Sequence, residues 1–415
     1  MPDIPFQFDN AELWSRRHWL RWTTLMGGAG ILAGCNQNAV PVASVKKAPA
    51  EIIYDQLLQY PGKVPMRAIN DRPPCLETPW DYFRHDLTPN DAFYVRWHLQ
   101  TLPQVELAQW RLKVSGHVEK PLELSMEELR KLPSTSIVAV NQCSGNSRGL
   151  FEPRIPGAQW GNGAMSNARW TGVKLSEVLK RAGLKAGAMD VTFAGMDKGA
   201  PPPVTVPDFV KSLPVEEANR PEVLLAYDMN GQALPPLNGF PLRLVVPGWY
   251  ATYWVKAINE IKVLTQKFDG YWMQKAYRIP KPGQADKPGD LAKETIPINL
   301  MNVRSFFVLP AVGATLPAGK PVPLEGIAFD GGSGIKQVEV SEDAGKTWAV
   351  TQLGDDLGKY SFRRWRLSWT PKQAGETKLL VKATSNSGET QPMTPGWSRA
   401  GYLRNVVEAL TVQVA

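Results

Sequence analysis

Thr135-Ser136-Ile137-Val138-Ala139-Val140-Asn141-Gln142-Cys143-Ser144-Gly145-Asn146-Ser147-Arg148 is the stretch on which the fold turns. It opens as a short β-branched apolar run, the pattern of a buried strand. It closes as a small, polar loop with a lone cysteine just past the strand. Such a strand presents a sulfur atom to whatever binds at its end, and Arg148 would hold an anion beside it. Taken alone the pattern also suits an inert core thiol, because free cysteines are commonly buried.

Outward from this stretch the chain reads as mixed α/β. Ser125-Met126-Glu127-Glu128 is a capping box, which predicts a short helix just before the strand. Leu175, Val178, Leu179 and Ala182 fall at helical spacing, and Gly183 supplies the stop. Leu242–Val246 predicts another strand, ending in Pro247-Gly248. From about Pro288 the texture changes to period two. Val338 and Val340 alternate with polar residues before an Asp343-Ala344-Gly345-Lys346 turn; Trp365, Leu367 and Trp369 alternate again, as do Leu379 and Val381. That texture predicts an immunoglobulin-like β-sandwich. The fold class is α+β, a mixed α/β domain over 78–286 followed by a β-sandwich over 287–415.

Composition agrees and excludes several functions. With 415 residues, 43% apolar and 21% charged, two soluble domains are expected. The formal charge is +8, yet no run of Lys and Arg interleaved with aromatics occurs, so no nucleic-acid partner is expected. Small anions or a phosphate-bearing cofactor suit the balance better. Cys35, Cys75 and Cys143 form no CxxC pair and no haem attachment motif, and only four His are present. Any metal is expected to arrive inside another cofactor.

The N-terminus reads as an address. Ser15-Arg16-Arg17-His18-Trp19-Leu20-Arg21 resembles a twin-arginine motif, followed by a mild apolar stretch too short to span a membrane. Leu32-Ala33-Gly34-Cys35 resembles a lipobox, so residues 1–35 are expected to direct export, with lipidated Cys35 as a membrane tether in the periplasm. Residues 36–77 read as tether and lead-in, with a short helix around Glu51–Gln59.

The company that Cys143 needs lies downstream. Gly157-Ala158-Gln159-Trp160, Ala168-Arg169-Trp170-Thr171-Gly172-Val173, Leu224-Leu225-Ala226-Tyr227-Asp228-Met229-Asn230-Gly231 and Gly239-Phe240-Pro241-Leu242-Arg243 follow in order, and Arg96-Trp97-His98 precedes them. In that order and spacing the chain resembles the sulfite oxidase family from about residue 78 to 410. The resemblance implies a sulfite-oxidase-type fold that binds molybdenum held by a molybdopterin, with Cys143 as the metal ligand.

It further implies that Arg96 and Arg148 line an oxyanion pocket, that Trp160 forms its wall, and that Tyr277 hydrogen-bonds near the reacting oxygen. Arg404 matches a third substrate arginine, with Arg399 competing for that role. His98, Asp197, Arg243 and Lys256 fall along the pterin and its phosphate. Asn238 stands where animal and plant members of the family carry His, a departure that falls on one pterin contact. The implied activity is sulfite oxidation by oxygen-atom transfer, with electrons passing to a separate carrier such as a c-type cytochrome, from a homodimer. The alternatives are a sulfane dehydrogenase subunit acting on protein-bound sulfur, and a non-catalytic extracytoplasmic lipoprotein that uses the sandwich for binding.

Overall fold

The strand ahead of Cys143 runs Ser134–Gln142, and its burial changes along its length. The first four positions are exposed or half-buried, and Val138 to Gln142 are wholly inside. The apolar run therefore drives the chain into the core and leaves Cys143 at the inner end. The strand is antiparallel to Met165–Lys174, which pairs in turn with Leu224–Met229; that strand also carries Gln232–Ala233 and Arg243–Val245. A second sheet has the order Val210–Pro214, Asp190–Gly195, Ile258–Leu264, Leu112–Gly116, Leu122–Leu124.

The structure is a computed structural model that describes residues 57–58, 60–199, 206–285 and 287–415. The twin-arginine motif, the Cys35 lipobox and most of the expected helix over 51–59 lie outside the described residues. Leu57–Leu58, the described part of that helix, is a strand paired with Met66–Asn70. Residues 60–77, read from composition as lead-in, belong to the fold. Met66–Asn70, Cys75–Glu77 and Val95–Arg96 complete this small sheet, with Met66, Cys75, Leu76 and Glu77 buried. A count of Pro and Lys does not reveal that the apolar positions between them pair in register.

Helices are few and short, so the α+β expectation holds only coarsely: the chain is mostly β. Ser125 caps Met126–Arg130 as expected, its Oγ accepting from Glu128 N at 3.2 Å while Glu128 Oε2 accepts from Ser125 N at 2.8 Å. Leu175–Ala182 buries Leu175, Val178, Leu179 and Ala182 and stops at Gly183. Burying each large side chain of that face stabilises by about 1.5–3 kcal/mol. Val215–Ala218 and Tyr271–Gln274 are single turns.

The C-terminal part is two packed sheets. One has the order Arg304–Leu309, Val322–Phe329, Arg363–Trp369, Gln352–Leu353; the other Thr315–Leu316, Glu408–Val414, Gly375–Ser385, Ile335–Ser341, Ala349–Val350. The alternating residues behave as read: Val338, Val340, Trp365, Trp369, Leu379 and Val381 share one core. A second core continues from the first part into Phe306, Val308, Ile327 and Phe329. The described residues accordingly form one unit. Val140 N donates to Tyr360 O at 2.9 Å and Trp80 Nε1 to Val308 O at 3.0 Å. At Gly248 (φ +85°) a Cβ would stand 2.2 Å from Gly331 O, so the Pro247-Gly248 turn must be glycine for the two parts to meet.

Candidate functional site

The loop that follows the strand is fixed from several sides. Cys143 N donates to Ala164 O (2.9 Å), and Asn146 N donates to Cys143 O (2.9 Å). Asn146 Oδ1 accepts from Ala164 N (3.0 Å). Ser147 adopts φ +68°, a left-handed backbone that persists in a non-glycine residue where its surroundings over-determine it. Here Gly161 O accepts Ser147 N–H (2.7 Å), and Arg304 Nη2 donates to Ser147 Oγ (2.6 Å).

Arg148 then folds back into a cradle of glycines. A Cβ would stand 2.6 Å from its Nη2 at Gly145, 3.2 Å from Nη1 at Gly157 and 2.9 Å from Cγ at Gly401. Nε donates to Ala400 O (2.7 Å) and Nη1 to Ala158 O (3.1 Å). The guanidinium carbon lies 5.3 Å from the Tyr402 ring centroid.

Cys143, 8% exposed, lines a cavity. Arg96 and His98 reach it from and just past the Val95–Arg96 strand, and Arg243 from the Arg243–Val245 strand. Lys256 and Tyr277 complete the wall with Tyr94, Asn141, Ser144, Asn238 and Thr252. Among the described residues its lining holds Arg96, His98, Arg243 and Lys256 and no carboxylate.

Burial shapes the charges here. It pushes Arg243 down to about 10, and pushes Lys256 below the usual lysine range, with Arg243 adding to the effect. It also holds His98 well below the usual imidazole range, with Arg96, Lys256 and Lys211 adding to it. His98 is thus neutral, and its Nε2 shares a hydrogen bond with the Tyr277 hydroxyl, whose pKa burial raises. Phe209 stacks on His98 at 3.8 Å, and Tyr402 stacks on Tyr277 at 5.4 Å.

Several polar atoms around the cavity have no partner within the protein: Asn141 Nδ2, Ser144 Oγ, Arg243 Nε and Thr252 Oγ1, with Asn146 Nδ2 behind them. Buried polar groups are costly unless bonded, and buried cations more so unless an anion is near. A rigid group with hydrogen-bonding edges and a phosphate would satisfy both needs. A metal held inside that group would take its protein ligand from the Cys143 thiol. The residues fit a molybdopterin.

The structure brings together Arg96, His98, Cys143, Arg243, Lys256 and Tyr277. Arg148 stands beside this group over Tyr402. Asp197 is buried one step back; burial raises its carboxyl pKa, and Lys256 opposes that. Two expected residues lie elsewhere. Trp160 is fully buried in the core and does not line the cavity. Fifteen tryptophans mostly have to be core, and this one donates rigidity rather than a wall. Arg404 pairs with Glu408, and Arg399 is exposed.

Sequence reasoning missed Lys63, Arg304 and Lys211. Lys63 Nζ donates to Asn90 O (2.7 Å), Phe93 O (2.9 Å) and Asn238 Oδ1 (2.7 Å), which places a cation beside Asn238. Nothing in a stretch read as tether would have found it. Arg304 was detectable, being a charge in the buried phase of Arg304–Leu309.

Two family profiles match this chain: "Oxidoreductase molybdopterin binding domain" over residues 98–272 and "Mo-co oxidoreductase dimerisation domain" over 295–414. Mitochondrial sulfite oxidase of Rattus norvegicus is 33% identical over 367 residues, covering 84% of this chain and 66% of that protein. Sulfite oxidase of Gallus gallus is 35% identical over 337 residues, covering 76% and 71%. The chain thus spans about two thirds of the length of these relatives. Sulfane dehydrogenase SoxCD from Paracoccus pantotrophus shares the fold, with TM-score 0.72 at 24% identity over 91% of this chain and 93% of that one.

Proposed function

The chain belongs to the sulfite oxidase family of molybdopterin oxidoreductases, and from that premise we propose that it oxidises sulfite to sulfate by oxygen-atom transfer. One observation carries the reading: the Cys143 thiol stands at the inner end of a buried strand, in a cavity lined by Arg96, Arg243 and Lys256 and, among the described residues, by no acid. When bound, the molybdenum cofactor supplies the transferable oxygen and takes up two electrons.

The chain's own residues bind and orient. Cys143 ligates the metal, and the Ala164 and Asn146 hydrogen bonds fix where its sulfur points. Arg243 and Lys256 meet the pterin and its phosphate, while Asn141, Ser144 and Thr252 offer it unpaired polar atoms. Neutral His98 and protonated Tyr277 keep a hydrogen bond at the cavity wall without adding charge. Arg96 and Arg148 hold the oxyanion, and a guanidinium fork suits that shape.

The proposed electron acceptor is a separate c-type cytochrome. The dimerisation profile supports a homodimer. Export through the twin-arginine motif, with a lipid on Cys35, is part of the same proposal and rests on residues 1–35 alone.

The test is reduction of cytochrome c by sulfite with molybdenum-loaded protein and its Cys143→Ser variant. Turnover by the parent and none by the variant is expected, with pterin retained in both. Full activity in Cys143→Ser would end the assignment.

A further inference from the structure

Lys63 lies outside both matched profiles, in a segment whose composition reads as lead-in, yet it is 4% exposed and bonded to the cavity wall. An ammonium group has three donors, and here each meets an acceptor: Asn90 O, Phe93 O and Asn238 Oδ1. Asn238 lines the cavity, and its amide side chain has a single oxygen. With that oxygen given to Lys63, Nδ2 turns to Tyr94 O (3.1 Å), while the backbone oxygen of Asn238 accepts from Arg243 Nη1 (3.0 Å). Arg243 Nη2 donates to Asn141 Oδ1 (3.0 Å), which also accepts from the Tyr94 hydroxyl (2.6 Å). Each acceptor in this series is thereby occupied. Arg243 Nε and Asn141 Nδ2 keep no partner among the described residues, and both are donors on cavity-lining side chains. Such a network is incomplete until an acceptor-rich, anionic group arrives.

We propose that Lys63 is a positioning residue for the anionic end of the cofactor: it locks the Asn238 amide, and through it the Arg243 guanidinium that meets the phosphate. The lead-in segment is then part of the cofactor site, joined to it by one buried cation. Lys63 also clips the turn at 90–93 that leads into Val95–Arg96, so a single ammonium ties together the segments that bring Arg96 and Arg243 to the cavity. Burial pushes Lys63 down to about 7; Asp91 opposes this and Arg243 adds to it. An anion beside Arg243 relieves the repulsion between the two cations and is held more tightly for it. The proposal rests on the reading of the cavity as the molybdopterin site and is independent of which sulfur compound is oxidised.

Release of molybdopterin from the holoprotein is the readout, followed by fluorescence of the freed, oxidised pterin at one temperature below every variant's unfolding transition. No turnover is needed. Lys63→Met should release the cofactor about tenfold faster than the parent or more, the loss expected for a bond from a charged donor. Asn238→Ala removes the same bond from its other side and should match it. Because Lys63 acts through Asn238, Lys63→Met should add less than about twofold in the Asn238→Ala background. A lysine that only held the turn at 90–93 would give effects that multiply.

An acceleration short of about tenfold in either single variant overturns the proposal, and so does a larger added effect of Lys63→Met in the double variant. A folded variant isolated already free of pterin counts as the limit of fast release. If Lys63→Met does not fold, Asn238→Ala decides alone, since it breaks the same bond and leaves Lys63 on Asn90 and Phe93. Pterin content of the parent separates the two levels. A parent without molybdopterin, made in a cofactor-competent host, overturns the reading of the cavity together with this one. A loaded parent whose single variants keep their pterin overturns only the role of Lys63.

Discussion

Replacing Gly145 by alanine adds one methyl group, yet that carbon would stand 2.6 Å from Arg148 Nη2, 2.9 Å from Cζ and 3.0 Å from Nη1. Non-bonded heavy atoms rest at about 3.5–4.0 Å, so the guanidinium must retreat by roughly 1 Å. It has little room to do so, because Gly157 and Gly401 press on its other sides while Nε and Nη1 are bonded at 2.7 and 3.1 Å. A retreat of that size breaks at least one bond from a charged donor, which contributes about 1.5–3 kcal/mol.

If the loss falls on oxyanion binding it amounts to about 10- to 150-fold in kcat/KM, carried mainly by KM. The assay is steady-state sulfite oxidation by the parent, Gly145→Ala, Arg148→Gln and the double variant. With Arg148 shortened the new methyl has nothing to strike, so it should add less than about twofold in the double variant. A silent Gly145→Ala would refute the cradle reasoning, and so would an equal cost in both backgrounds.

Two further outcomes follow from buried charges. Lys211, whose Nζ donates to Trp272 O at 2.8 Å, is pushed down to about 7 by burial, with Arg278 adding to it. Between about 7 and the unfolded value near 10.4 the unfolded chain holds more protons, so this group makes stability rise with pH across that window. Melting temperatures of Lys211→Met should therefore climb less steeply than the parent's from about pH 7 to about pH 9; parallel curves would refute this. Glu77, 3% exposed, pairs with Arg67 at 2.6 Å and accepts from Gly161 N, which anchors the chain opposite Cys143. Arg67→Met removes that partner from a buried carboxylate and should cost about 3–5 kcal/mol in chemical denaturation. A loss under about 1 kcal/mol would show that the pair is solvated.

What was legible in the sequence follows how locally each feature is determined. The strand to Cys143, the Ser125 cap, the helix ending at Gly183 and the alternation of Val338 and Val340 all depend on neighbours a few residues away, and each formed as read. Residues 60–77 were misread because their burial depends on partners far along the chain, such as Arg96 across from Cys75 and Gly161 against Glu77. The same reason hid Lys63. Trp160 and Arg404 show the other limit: a motif fixes where a side chain starts, while its final contacts depend on residues the motif does not contain. Glu408 is such a residue, four positions past Arg404 and on a strand of its own.

Three distant stretches meet on the loop from Cys143 to Ala164. Glu77 holds Gly161 from the N-terminal layer, and Arg304 holds Ser147 and Asn162 from the C-terminal sheets at 2.6 and 2.8 Å. The buried strand supplies the third grip. A sulfur ligand must sit within a fraction of an ångström of its productive place, and a polar loop cannot ensure that by itself. The cations lining the cavity make the demand stricter. They are costly to bury until an anion arrives, so the loop would otherwise relax to let water in. The C-terminal sheets are therefore part of the cofactor site through Arg304, whatever they also do between subunits. A fragment confined to residues 78–286 would keep Cys143, Arg96 and Arg243 and lose two of the three grips that aim the thiol.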